Sequence, residues 1–425
     1  MSQSERLYYS DSFLASFSAT VAEARKLPGS HSDSLWQLAL DRSAFYPSSG
    51  GQPFDTGVLT ATSTNGGTVD VRVEQVEEDE EGTVWHVVRQ ALPAGTAVRG
   101  RIDWERRFDH MQQHTGQHLL SAIFVRELHA PTVSFHLGES SSTIDLAVGQ
   151  LAHHSLERVE RIANEIIADD RAVTIASASR EEAEAMMASG ELRKLPEREG
   201  SIRLIDIADC DRNACGGTHV RSTGQVGALL LRKIEKVTRG FRVEFVCGLR
   251  AVRVARTDAA ALTETSALLS TGAAELPAAV QRLLAEAKTS AQERKRLREE
   301  LAAFHAAQLV AETTVAEGLR LLVREFKDRD SDYVRMLASR TAAAGASTVA
   351  IFSAREQEPT RLFLARSRDL NFDCGRTLRE ALAAFGLRGG GSPDLAQCEV
   401  PRQQEAALIA SLGETVRRLG EHSSG

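Results

Sequence analysis

Two short motifs, far apart in the chain, constrain its folding most. HTGQH (114–118) and CGGTH (215–219) each place two metal-binding side chains four residues apart. If the two motifs share one ion, any fold open to this chain must bring them to a single point. The first lies in DWERRFDHMQQHTGQHLLSAIFVREL (103–128), where Leu119, Leu120, Ile123 and Val125 recur at helical spacing. On a helix His114 and His118 share a face, with His110 one turn back. In the second, two glycines allow a tight turn between Cys215 and His219. Either pair alone is common on protein surfaces. Together they offer three imidazoles and one thiolate, the donor set of tetrahedral zinc.

The other candidates are weaker. His153 and His154 are adjacent and cannot face one site from a helix. Cys210 and Cys247 sit in apolar strand contexts and read as buried filler. Cys374 and Cys398 have no nearby histidine in sequence. Five cysteines so dispersed form no disulfide framework and point to a reducing cytosol. G-x-S-x-G, Walker A and dinucleotide fingerprints are absent.

At 425 residues the chain exceeds one ordinary domain. Residues 1–100 alternate apolar and polar positions, as in LWQLAL (35–40), TVDVRVEQV (68–76) and TVWHVVRQ (83–90). Turn segments such as TSTNGG (62–67) and EEDEEG (77–82) separate them, which predicts a small β-barrel. Residues 101–255 read as an α+β core, with an amphipathic helix over 156–170 and a shorter one over 181–188. PTVSFHLGESSSTIDLAVG (131–149) reads as a loop and strand, and strands are expected at 202–211, 228–237 and 241–248. Residues 256–312 read as a helical linker of two helices, broken by TGAAELP (271–277), the second ending near 310. Leu262, Leu269, Leu276 and Leu283 sit seven apart, and Leu297, Leu301 and Phe304 continue a 4–3 spacing. That pattern suits a hairpin packed on its own protein or a short coiled coil for a partner. Residues 313–425 alternate strands and helices as a C-terminal α/β domain. The expected fold class is therefore α+β multidomain. No run approaches a membrane span, and the N-terminus lacks the apolar core of a secretory signal.

The formal net charge of −7 argues against a nucleic-acid partner. Sums conceal patches, however. Residues 232–256 carry eight Lys or Arg against Glu235 and Glu244, offset by six acids between Glu74 and Glu81. Arg232, Lys233, Lys236, Arg239 and Arg242 are the candidates for following phosphates. The alternative is a strand or helix with solvated charges.

HTGQH followed by CGGTH resembles the zinc-binding editing domain of alanyl-tRNA synthetases. FYPSSGGQPFDTG (45–57) resembles the glycine-rich motif upstream of it, and LRGGGSPDLAQ (387–397) their C-terminal domain. With no room for an aminoacylation domain, the expectation is a free-standing, cytoplasmic editing protein of the AlaX type, long form. The resemblance implies one zinc ion per chain on His114, His118, Cys215 and His219. It implies hydrolysis of serine mischarged on tRNA(Ala), with some members acting on glycine. It also implies tRNA binding by the C-terminal part and allows a homodimer through the helical linker or that domain. Ser48 stands where the glycine-rich motif often has Glu, and Ser392 where the C-terminal run often has Arg. Accepting serine while sparing alanine calls for a partner to one hydroxyl. Gln52, Ser134, His136, Thr143 and Asp145 are the candidates. The competing reading is a non-catalytic tRNA-binding protein with a structural zinc.

Overall fold

A computed structural model describes residues 4–27, 35–62, 67–192, 195 and 200–421. The centre of the TSTNGG turn, 63–66, lies outside the described residues. The chain divides into two compact units, Met1–Glu264 and Thr265–Gly425.

The alternation near the N-terminus closes into a barrel. Its strands run in the order Ser16–Lys26, Trp36–Leu40, Val84–Val88, Thr68–Glu78, Gly57–Thr62 and Ala97–Ile102. In Thr68–Glu78, Val71, Val73 and Val76 are buried between exposed or half-buried neighbours. They meet Leu38, Leu59, Val84 and Val88 in one core. Closure pairs every barrel strand on both sides.

Helix α1 (Trp104–Leu128) leaves the barrel and crosses a four-stranded antiparallel sheet. The sheet order is Leu229–Val237, Gly240–Cys247, Ser142–Leu146, Thr132–Leu137. The segment 131–149, expected to hold one strand, holds two. α2 (His153–Ala168) buries Leu156, Val159, Ala163, Ile166 and Ile167, a single apolar stripe. These residues share a core with Leu119, Leu120, Phe124, Val243 and Phe245. A three-stranded sheet follows, built from Val173–Ala178, Ile202–Ile207 and Asp211–Ala214. The strand expected over 202–211 thus breaks and returns as a hairpin, turning at Asp209, whose φ is 52°. α3 (Arg180–Ser189) opens with a capping box between Ser179 and Glu182. α4 (Gly248–Leu268) begins earlier than the 256 expected.

In the second unit α5 (Leu276–Glu312) carries Pro277 in its first turn, where the missing N–H costs nothing. A five-stranded sheet has the order Arg320–Phe326, Thr348–Ala354, Thr360–Arg366, Leu395–Val400, Gly389–Gly391. Only its first pair is parallel. Alternation along Thr348–Ala354 sends Val349 and Ile351 to one face, Ala350 and Phe352 to the other. α5 and α6 (Ser331–Ala344) cover the second face. α7 (Cys374–Ala383) and α8 (Arg402–Glu421) cover the first. Cys247, Cys374 and Cys398 are buried. Among the described residues no helix is long and apolar enough to cross a membrane.

Candidate metal centre

α1 places His114 and His118 one turn apart on one face. The CGGTH turn follows the last strand of the three-stranded sheet and brings Cys215 and His219 against them. One donor atom from each of the four residues lies within 4.8 Å of all the others. Cys215 Sγ is 3.4 Å from both His114 Nε2 and His219 Nε2. Tetrahedral zinc with ordinary Zn–N and Zn–S bonds has donor–donor edges of about 3.3–3.6 Å. The donor set fits that metal in type, and the two edges at Cys215 fit it in spacing.

Each imidazole turns its other nitrogen to a partner. His114 Nδ1 is 2.8 Å from Gln52 Oε1. The amide orientation of Gln52 is fixed, because the same oxygen accepts from the backbone N–H of Thr218 at 3.0 Å. Its Nε2 donates to Thr218 Oγ1 at 2.8 Å. His114 must then carry its proton on Nδ1 and present a bare Nε2. His118 Nδ1 lies 3.1 Å from the Asp211 carboxylate, and His219 Nδ1 lies 3.1 Å from Thr115 Oγ1. All three Nε2 atoms are left for the centre.

The electrostatics favour a thiolate at Cys215. Burial opposes charge on Cys215, yet His114 and His219 carry its pKa well below the ordinary thiol value. Burial pushes His219 well below the usual imidazole range. Burial also opposes charge on His118, but hydrogen bonds to Asp211 and Cys215 bring it up to about 9. The N–H of Gly217 points at Cys215 Sγ, 3.4 Å away. Arg203 Nη1 donates to the carbonyls of Cys215 (2.6 Å) and Gly217 (2.9 Å), which fixes the turn.

Glycine is needed here for space. A Cβ on Gly217 would stand 2.1 Å from His114 Cε1. Gly51 in the glycine-rich loop has φ of +81°, and a Cβ there would meet the Phe135 ring at 2.7 Å. That ring packs beside His114, with centroids 5.7 Å apart. The loop is anchored below by Asp55, whose carboxylate accepts from Arg107 and from the Tyr46 N–H.

Of the residues expected to contact substrate, Gln52 reaches the centre, as a partner of His114. Ser134, His136, Thr143 and Asp145 do not. On the two strands that carry them, Phe135, Leu137 and Ile144 face the α1 core. Alternation sends the four polar residues to the opposite face, where Ser134 donates to Asp145 (2.8 Å) and Arg242 holds the same carboxylate (2.7 and 2.8 Å). Asp211 and Arg203 have no motif to mark them, and Thr115, though inside HTGQH, has nothing in sequence to mark its role toward His219. Asp211, four residues before Cys215, is the most legible of the three.

Four of the eight cations in 232–256 are paired in space. Arg242 holds Asp145, Lys233 pairs with Glu235, and Arg232 is 3.9 Å from Asp258. Arg250 is 5% exposed and clasps Asp109 at 2.8 and 3.0 Å. Lys236 and Arg239 line a surface cavity of about 440 Å³ beside Gly149.

Two family models match the chain: class II (A) tRNA synthetases over residues 1–106, and the threonyl and alanyl tRNA synthetase second additional domain over residues 202–242. The alanine–tRNA ligase of Pyrococcus abyssi is 30% identical over 404 residues, covering 93% of this chain and 42% of the ligase. That of Archaeoglobus fulgidus is 32% identical over 423 residues, covering 98% and 44%. The alanyl-tRNA editing protein AlaX-L of Pyrococcus horikoshii is 35% identical over 253 residues, covering 58% of this chain and 59% of AlaX-L. The chain thus spans less than half of each of these ligases and about three-fifths of AlaX-L. It is a homologue of the alanine–tRNA ligases and of AlaX-L, and it carries matches to their class II (A) and second additional domain models.

Proposed function

We propose that this chain is a zinc-containing deacylase that removes serine from mischarged tRNA(Ala), with glycine on the same tRNA as a second candidate substrate, and with no need for ATP. The observation that carries the reading is the convergence of His114, His118, Cys215 and His219 in a homologue of an alanyl-tRNA editing protein. These four would hold zinc, which when bound supplies a Lewis acid beside the ester. The aminoacyl ester is already activated, so orientation and selection are the protein's main tasks.

The chain's own residues then act in stated ways. Gln52, Asp211 and Thr115 hold the imidazole tautomers. Arg203 fixes the turn that presents Cys215. Phe135 covers one side of His114 and limits water there. The cytoplasm is the place of work, because Cys215 must stay reduced to serve as a ligand.

The test is side-by-side hydrolysis of Ser-, Gly- and Ala-tRNA(Ala) with measurement of bound metal. Release of serine over many turnovers at catalytic protein concentration is expected, with Ala-tRNA(Ala) spared. Cys215→Ala and His118→Ala are expected to lose both zinc and activity. Full activity in a metal-free variant overturns the assignment. One observation favours a second reading, a tRNA-binding protein with a structural zinc: four protein donors already complete a tetrahedron. Stoichiometric tRNA binding with no turnover would decide for it.

A further inference from the structure

The acidic turn that follows Thr68–Glu78 in the barrel holds the N-terminal segment. Glu78 receives Arg6 through two hydrogen bonds, of 3.1 and 2.7 Å, and the Gly82 carbonyl takes a third at 3.1 Å. Arg6 lies against the Tyr9 ring, 5.5 Å from its centroid, and donates to its hydroxyl at 3.1 Å. The Arg203 guanidinium lies 5.5 Å from the centroid of the same ring. Its Nε donates to the Tyr9 carbonyl at 2.9 Å, while its Nη1 holds the carbonyls of Cys215 and Gly217. Among the described residues Arg203 makes no ion pair, and its buried Nη2 has no hydrogen-bond partner. Burying a cation without a carboxylate is costly. What this one accomplishes is geometric, since one rigid planar group fixes three carbonyls from two distant segments. The N-terminal segment meets the metal turn a second time at Ser12, which is 3% exposed. Ser12 Oγ accepts from the His219 backbone N–H at 3.3 Å, and the Ser12 carbonyl accepts from Arg107 of α1 at 2.8 Å.

We propose that residues 6–13 form a strap that positions the metal donors. Tyr9, braced by Arg6 and Glu78, acts on Cys215 through Arg203, and Ser12 acts on His219 directly. The proposal rests on the reading above that the four donors hold zinc. Tyr9, Ser12 and Arg203 are positioning residues, since none of them supplies a donor. Outer partners of a metal centre typically account for 10- to 100-fold in its affinity.

The experiment uses the full chain and reads zinc affinity by chelator competition and the visible spectrum of the cobalt(II) form. Neither measurement needs tRNA. Tyr9→Ala and Arg203→Ala are each expected to bind zinc about tenfold more weakly or worse, and to lose intensity in the bands of tetrahedral cobalt. Tyr9→Phe keeps the ring between the strap and Arg203 and should bind within a few-fold of the native chain. The double variant Tyr9→Ala/Arg203→Ala should lose clearly less than the sum of the two single losses, because Tyr9 acts through Arg203. Ser12→Ala is expected to weaken zinc binding by a few-fold. Leu14→Ala is the control, since Leu14 packs on the barrel core. It should lower thermal stability and leave zinc affinity and the cobalt spectrum unchanged. Native zinc affinity in folded Tyr9→Ala and Arg203→Ala overturns the proposal, as does an equal loss in Leu14→Ala. Deacylation is scored separately. No turnover of Ser-tRNA(Ala) by the native chain, with zinc still lost in the variants, overturns the proposed function and supports the strap. A native chain that takes up neither zinc nor cobalt overturns both.

Discussion

Gln52 Oε1 lies 2.8 Å from His114 Nδ1, so a loop of the barrel reaches a candidate ligand of the metal centre. The side chain is 1% exposed and is clamped twice by Thr218. This joins the barrel, α1 and the CGGTH turn in one hydrogen-bonded set. Outer partners of this kind typically account for 10- to 100-fold in metal affinity. Gln52→Ala is expected to lose zinc affinity in that range with the barrel intact. Gln52→Glu can still accept from both donors and should retain affinity within a few-fold. Chelator competition measures both, and native affinity in the alanine variant would show that His114 needs no such partner.

How much of this is legible in the sequence follows from which interactions are local. HTGQH and CGGTH can be read because i and i+4 on a helix, and a turn opened by glycine, place their ligands whatever lies elsewhere. Thr115 lies inside the first motif but acts on His219, across the fold. Asp211 acts on His118 from a hairpin whose sequence looks like one continuous strand. The polar residues near 134–145 are suggested by their closeness in sequence to the zinc helix. Strand alternation decides their face instead, and it puts Phe135 beside His114. The charge of 232–256 is a count along the chain, while Asp145, Asp109 and Asp258 pair with it from other segments.

Asp55 and Arg107 are both fully buried, and they tie the glycine-rich loop to α1. Arg107 also donates to the carbonyls of Ser12 (2.8 Å) and Ala44 (2.6 Å). Removing one partner leaves a buried charge without its counterion, which costs about 3–5 kcal/mol. Asp55→Asn and Arg107→Met are each expected to lower unfolding free energy by that amount in urea titrations. A loss below about 1 kcal/mol would mean that water or another group replaces the missing partner.

His86 sits fully buried in the barrel, with Nδ1 3.0 Å from the Leu38 carbonyl and Nε2 2.8 Å from Ser43 Oγ. Burial lowers its pKa from 6.5 to about 4, against a smaller opposing effect of the Leu38 hydrogen bond. The depressed value means that the folded chain binds this proton less readily than the unfolded chain. Its contribution is therefore complete above pH 6.5 and is lost as pH falls toward 4, up to about 3 kcal/mol. An NMR titration of the His86 ring is expected to give a midpoint near 4. A midpoint at or above 6.5 would show that the barrel does not exclude the charged form.

Gly217 offers the sharpest steric test of the centre. An added methyl would stand 2.1 Å from His114 Cε1 and 3.0 Å from Gln52 Oε1. Neither neighbour can yield freely, since Gln52 holds His114 and Thr218 holds Gln52. The turn must move instead, and Cys215 with it, because Arg203 grips the carbonyls of Cys215 and Gly217 together. Gly217→Ala should therefore fold, keep its tRNA affinity, and lose zinc by at least tenfold, a larger effect than one methyl has at an open site. Gly149→Ala is the control, since a Cβ there would meet no heavy atom within 4 Å. Equal zinc affinity in the two variants would mean that the CGGTH turn holds Cys215 away from His114 in solution.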